Sequence, residues 1–151
     1  MKSIAGPFGT FFQIGYVTRD IHRAVAMLVD QMGATRIDLI EDFRDPQGDP
    51  VVIRSLSHLS LGEAEMEIIE PRLDRPSIYL DALPADDAII GLHHLGYKQP
   101  DIPTWESAMA ILCADGAVIA MEGAVPTARF AYIDTRRLVG HYTEMVYRAS
   151  R

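Results

Sequence analysis

The chain predicts an α+β fold built from two βαβββ modules, and three observations carry that prediction. Gln13-Ile14-Gly15-Tyr16, followed by Asp20-Ile21, recurs as His94-Leu95-Gly96-Tyr97, followed by Asp101-Ile102, at a constant offset. The copies also end alike, with Glu67-Ile68-Ile69 matched by Glu144-Met145-Val146. Within each copy the apolar spacing passes from strand-like to helix-like and back. Such a repeat decides the architecture first, because each copy is one supersecondary unit that cannot bury its apolar face alone. Residues 1–151 therefore read as a single domain of two modules, 9–71 and 90–148, joined by a connector over 72–89. The modules are expected to form a curved sheet around a cleft.

Phe11 to Thr18 reads as the first strand, aromatic and β-branched and opened by Gly9. Asp20 then supplies a helix N-cap. Ile21, Ala24, Val25, Leu28, Val29 and Met32 fall on one helical face, and Gly33 caps the C-terminus of a helix over 21–32. Ala34 to Phe43 is a second strand. Arg44 to Pro50, with two Asp-Pro pairs and Gln-Gly, is a loop. Val51 to Leu59 is a third strand, and Glu65 to Glu70 a fourth, stopped by Pro71. The connector carries prolines, the acidic residues Asp74, Asp81, Asp86 and Asp87, and a short helical turn near Ser77 to Leu83. The second copy repeats the order: a strand over 91–98, a helix over 103–114 with Pro103 in its first turn and Gly116 as its stop, then strands over 117–121, 128–133 and 141–147.

Composition narrows the function. At 151 residues the chain can bury roughly 68–70% of its unfolded surface, enough for a proper core. A net charge of −7 and the absence of a basic run argue against nucleic acid or an anionic membrane as partner. No stretch approaches the roughly 20 apolar residues of a membrane span. Met1 to Thr10 lacks a basic segment followed by an apolar run, so a cytoplasmic protein is expected. Cys113, the single cysteine, excludes an internal disulfide and reads as a buried reduced thiol.

The repeat also places chemistry. Gln13 and His94 occupy one matched pair of positions, Glu67 and Glu144 another, and all four residue types bind divalent metals. Strand side chains alternate between faces, so Gln13 shares a face with Gly15, and His94 with Gly96. A glycine inside a strand weakens it and marks close approach of a ligand or another backbone. A carboxylate among apolar strand residues needs a partner if it is buried, and a cation supplies one. His93, next to His94, faces the other way and reads as packed or hydrogen-bonded. His22, His58 and His141 have no repeat partner. Tyr16, Tyr97 and Trp105 read as core.

These residues resemble the vicinal oxygen chelate superfamily, which includes glyoxalase I, methylmalonyl-CoA epimerase, extradiol dioxygenases and bleomycin-resistance proteins. The matching pieces are Gln13-Ile14-Gly15, Glu67-Ile68-Ile69-Glu70-Pro71, Gly91-Leu92-His93-His94-Leu95 and His141-Tyr142-Thr143-Glu144. The glyoxalase I and epimerase branches are the nearest in pattern. The resemblance implies paired βαβββ modules, a metal held by Gln13, Glu67, His94 and Glu144, and Glu144 or Glu67 as the catalytic base. Three oxygen donors and one nitrogen suit octahedral Zn²⁺, Ni²⁺, Co²⁺ or Mn²⁺. Extradiol dioxygenases hold iron with two histidines and a carboxylate, and Gln13 departs from that set. Epimerases carry an acidic residue before a Gln-Gly pair, where this chain has Pro46 before Gln47-Gly48.

The expected function is that of a metal-dependent lyase, isomerase or epimerase that removes a proton next to a carbonyl. Its substrate is expected to be a small molecule with adjacent oxygens, such as a CoA or glutathione adduct. Arg54, Arg129, Arg136 and Arg137 are the cations available for an acidic group on it. The alternative is a non-catalytic binding protein of the bleomycin-resistance kind, with an extradiol dioxygenase behind it. A homodimer is expected on base rate.

Overall fold

The computed structural model describes residues 7–85 and 88–150. Asp86 and Asp87 of the acidic connector, and Met1 to Gly6 of the N-terminal segment, lie outside the described residues. The elements run β1 (Thr10–Val17), α1 (Ile21–Met32), β2 (Thr35–Ile40), β3 (Ile53–Leu61) and β4 (Ala64–Pro71), then a 3-10 turn (Ile78–Ala82). They continue as β5 (Gly91–Lys98), α2 (Ile102–Ala114), β6 (Ile119–Val125), β7 (Ala128–Ile133), a one-turn α3 (Arg136–Val139) and β8 (Tyr142–Arg148). The α+β architecture with a repeated βαβββ order is therefore the one the chain adopts. No helix among the described residues is long and apolar enough to cross a membrane.

The described residues fall into two compact units, one within 13–93 and the other comprising 94–150 with 7–12. In the first, strand order is β2-β3-β4-β1. β1 runs parallel to β4, and β4 is antiparallel to β3. The β3–β4 hairpin turns at Gly62, whose φ of 62° lies in the left-handed region that glycine enters without a Cβ penalty. α1 forms where the sequence places it. Asp20 is extended and accepts from the Arg23 amide at 3.1 Å, and Gly33 closes the helix in the left-handed conformation. Ile21, Ala24, Val25 and Leu28 pack onto Leu59, Met66 and Ile68. Alternation therefore sends Glu67, between Met66 and Ile68, to the face away from the helix.

The second unit repeats this logic with strand order β5-β8-β7-β6. β5 runs parallel to β8, and Asp101 caps α2 by accepting from the Thr104 amide at 2.7 Å. Trp105, Ala108 and Leu112 of α2 pack onto Ala131, Ile133 and Met145. Glu144, next to Met145, consequently faces away from α2.

Several details differ from the sequence reading: β2 ends at Ile40, short of Phe43, and β3 runs Ile53–Leu61 in place of Val51 to Leu59. Cys113 is exposed, not buried. The buried positions of α2 are Trp105, Ala108 and Leu112, and one further residue turns the side chain about 100° away from that face. β6 runs on to Val125 through Glu122 and Gly123, because pairing to β7 carries residues of poor strand preference. The turn α3 was not foreseen. It is fixed by Asp134, which accepts from Arg136 Nε at 2.9 Å and from its terminal nitrogen at 2.7 Å. The Arg136 guanidinium also lies 4.6 Å over the Tyr142 ring, at the start of β8.

Two outcomes follow from these contacts. The hydrogen bond from Arg136 holds the Asp134 carboxyl down to about 2. The folded pKa is below the unfolded one, so the stabilisation is full above the ordinary carboxylate pKa and lost as pH falls toward 2. Asp134→Asn should lower the melting temperature at neutral pH. Its deficit against the parent protein should shrink in thermal melts taken at progressively lower pH through that window. A methyl group at Gly91 would meet the Ala82 carbonyl oxygen at 2.1 Å. Gly91→Ala should therefore destabilise by about 1–3 kcal/mol in urea unfolding, the cost of overpacking against a backbone that cannot give way.

Candidate metal centre

Parallel pairing aligns the repeated residues identically in both units. Gln13 stands opposite Glu65, and Gly15 opposite Glu67. His94 stands opposite Tyr142, and Gly96 opposite Glu144. Each proposed glutamate ligand thus has a glycine at its register position on the neighbouring strand. With no side chain there, neither glycine covers the carboxylate on the face away from the helix.

Ligand atoms of Glu67, His94 and Glu144 all lie within 4.8 Å of one another. His94 is 0% and Glu144 6% exposed. His94 Nε2 is 3.3 Å from Glu144 Oε2. Two carboxylates of like charge in a secluded site need a proton or a cation to compensate them, and a divalent ion would serve as the cation. The donor set therefore fits a divalent metal. The chemistry of one imidazole and two carboxylates does not choose among Zn²⁺, Ni²⁺, Co²⁺ and Mn²⁺.

Gln13 is 1% exposed, and its Nε2 donates to Glu65 Oε2 at 2.6 Å. An amide binds a hard cation through its carbonyl oxygen. The hydrogen bond to Glu65 engages the amide nitrogen, not that oxygen.

Two residues beside the site were missed, because they hold equivalent register positions opposite Glu144 and Glu67 but differ in residue type. Tyr132 is buried on β7, opposite Glu144, and meets the His94 ring edge-on with centroids 5.1 Å apart. It fixes the imidazole plane and excludes water from that side. His58 stands opposite Glu67 on β3, with Nε2 3.7 Å from Glu67 Oε1 and Nδ1 3.0 Å from Asp38 Oδ2. Burial disfavours charging this ring. The close approach and charge of Glu67, then the hydrogen bond and charge of Asp38, outweigh burial and raise its pKa to about 9. The Leu61-Gly62-Glu63-Ala64 string is the signal that locates His58. A two-residue loop between Leu61 and Ala64 fixes the hairpin register.

The remaining expectations fall away from the cluster. His93 is buried, with Nε2 3.1 Å from the Ile78 carbonyl and its ring against Tyr79. His22 is an exposed partner of Glu41, and His141 Nδ1 lies 2.7 Å from the Tyr142 carbonyl. Arg54 pairs with Glu70 at 3.0 Å, Arg129 with Glu106 at 3.5 Å and Arg136 with Asp134, so three of the four arginines already meet carboxylates. Gln47-Gly48 sits in an exposed turn closed onto Asp45.

Comparison with known proteins agrees with this architecture. No curated protein sequence matches significantly. Among solved structures, methylmalonyl-CoA epimerase from Mycobacterium tuberculosis is similar with a TM-score of 0.70 and 17% identity, covering 99% of this chain and 95% of that one. A hypothetical protein from Bacillus halodurans gives a TM-score of 0.69 at 17% identity over 94% of this chain and 96% of its own. A variant of the Streptomyces coelicolor methylmalonyl-CoA epimerase, in complex with 2-nitronate-propionyl-CoA, gives a TM-score of 0.69 at 14% identity over 95% of this chain and 99% of its own. At these identities the likeness is one of fold. The profile of the glyoxalase/bleomycin resistance protein/dioxygenase superfamily matches residues 12–132, most of the sequence, and the chain belongs to that superfamily.

Proposed function

We propose that the protein is a metal-dependent isomerase, epimerase or lyase of the glyoxalase type, acting by removal of a proton next to a carbonyl. The carrying observation is the convergence of Glu67, His94 and Glu144, with ligand atoms all within 4.8 Å of one another. Gln13 completes the proposed ligand set. When bound, a divalent cation supplies Lewis-acid polarisation of the substrate carbonyl and offsets the charge that develops on its oxygen.

The protein's own residues do the rest. Glu144 is the first choice for the base, because it is a carboxylate in a dry setting with His94 Nε2 at 3.3 Å. Its carboxylate takes the proton from the substrate carbon and can return it to the same or a neighbouring atom. Glu67 is the second choice. Tyr132, packed against His94, keeps solvent from competing for that proton. Epimerisation, isomerisation and glyoxalase-type conversion share this half-reaction and differ in where the proton goes back.

For the substrate, a small acyl or hemithioacetal compound with adjacent oxygens is proposed, carried on CoA or glutathione. The family membership and the CoA ligand named for the Streptomyces coelicolor structure support this class. A homodimer is the proposed assembly.

Reconstitution of the purified protein with Zn²⁺, Ni²⁺, Co²⁺ or Mn²⁺, followed by elemental analysis, should give about one ion per chain. That stoichiometry should be lost in Glu144→Ala. Protein that takes up no metal would overturn the reading and favour simple ligand sequestration. With metal bound, methylmalonyl-CoA and the hemithioacetal of methylglyoxal should exchange their carbon-bound proton in deuterium oxide, read by NMR, if either belongs to the substrate class. Glu144→Gln should slow that exchange by about 10²–10⁴-fold, the usual contribution of a positioned base.

A further inference from the structure

We infer that Asp38 and His58 form a positioning pair that holds Glu67 in place as a metal ligand, acting through the fixed aim of the His58 ring from outside the coordination sphere. This inference rests on the metal reading above and assigns residues that the repeat does not mark. Asp38 stands opposite His58 on β2–β3, and His58 stands opposite Glu67 on β3–β4. Side chains at register positions of neighbouring strands share a face, so the three form one row across the sheet.

The row is anchored at its outer end. Asp38 Oδ1 accepts from the His58 backbone amide at 2.8 Å, and both Asp38 oxygens lie 3.0–3.1 Å from His58 Nδ1. The backbone contact fixes the Asp38 carboxylate, and the two contacts to Nδ1 leave the imidazole little freedom of rotation. Its Nε2 is thereby aimed at Glu67 Oε1 at 3.7 Å. This is longer than a hydrogen bond and within ion-pair range, so small movements of Glu67 close it.

The arrangement matches what ligating carboxylates generally require. A carboxylate held by an outer partner presents one orientation and does not spend entropy finding it, and loss of such a partner costs about 10–100-fold in metal affinity. Glu67 thereby becomes the retained ligand of the two glutamates. Release from the cation to act as base then falls to Glu144. Asp38 and His58 touch neither substrate nor metal in this scheme, and they act only through Glu67.

Zn²⁺ and Co²⁺ affinities, measured at one fixed pH by calorimetry and chelator competition, test the pair. His58→Leu should weaken both by about 10–100-fold while the thermal melt and far-ultraviolet spectrum stay those of a folded protein. His58→Gln, which keeps an N–H donor at the reach of Nε2, should recover most of the loss. The visible absorption of bound Co²⁺ should shift in His58→Leu and return in His58→Gln, a response that general loosening of the fold would not give. If His58→Leu does not fold, Asp38→Ala carries the test, with weaker metal binding expected. Parental affinity in a folded His58→Leu, or in Asp38→Ala, overturns the inference. Metal bound one-to-one and lost in Glu144→Ala, with no effect at His58, would sink the positioning pair alone. Absence of metal from the parent protein would sink both readings.

Discussion

Glu144 and His94 are side by side with almost no exposure to water, and that burial dictates what the rest of the scaffold must provide. Taking a carboxylate out of water costs several kcal/mol unless an opposite charge or hydrogen bonds replace the lost hydration. Glu67 brings a second acid group within 4.8 Å and raises that cost. A divalent cation reverses the sign of the problem, because the same low-dielectric setting that penalises isolated charges strengthens their attraction to a central ion.

Strand alternation is what makes such burial available. Met66 and Ile68 on β4, and Met145 on β8, commit one face of each strand to α1 or α2. The intervening glutamates then have no choice of face. Parallel pairing puts Gly15 beside Glu67 and Gly96 beside Glu144, so each acid has a side chain, His58 or Tyr132, on one neighbouring strand only. The helices contribute to chemistry only indirectly, by fixing which way the strands turn.

Much of this was legible in the sequence because it depends on local periodicity. α1 begins at Ile21 and ends at Met32, bounded by Asp20 and Gly33, since capping is decided within one turn of chain. β5 and β7 likewise run over the residues their composition marks. The quartet Gln13, Glu67, His94 and Glu144 could be nominated because a repeat makes four weak signals correlated. Less was legible where pairing overrides propensity, as in β6 through Gly123, or where a single turn depends on one ion pair, as in α3. Cys113 was misassigned because its small apolar side chain says nothing about which side of Leu112 it occupies.

By itself the sequence determined the order of elements, the repeat, the helix caps and the residue types capable of holding a cation. These follow from side-chain preferences acting over a few neighbours and from the period of two or 3.6 residues. Only tertiary structure decided that Glu65 engages the amide of Gln13, that Tyr132 braces His94, and that Asp38 and His58 line up on Glu67. Those partners come from different strands. Their meeting depends on sheet register, in which a shift of one residue would move every one of them to the opposite face.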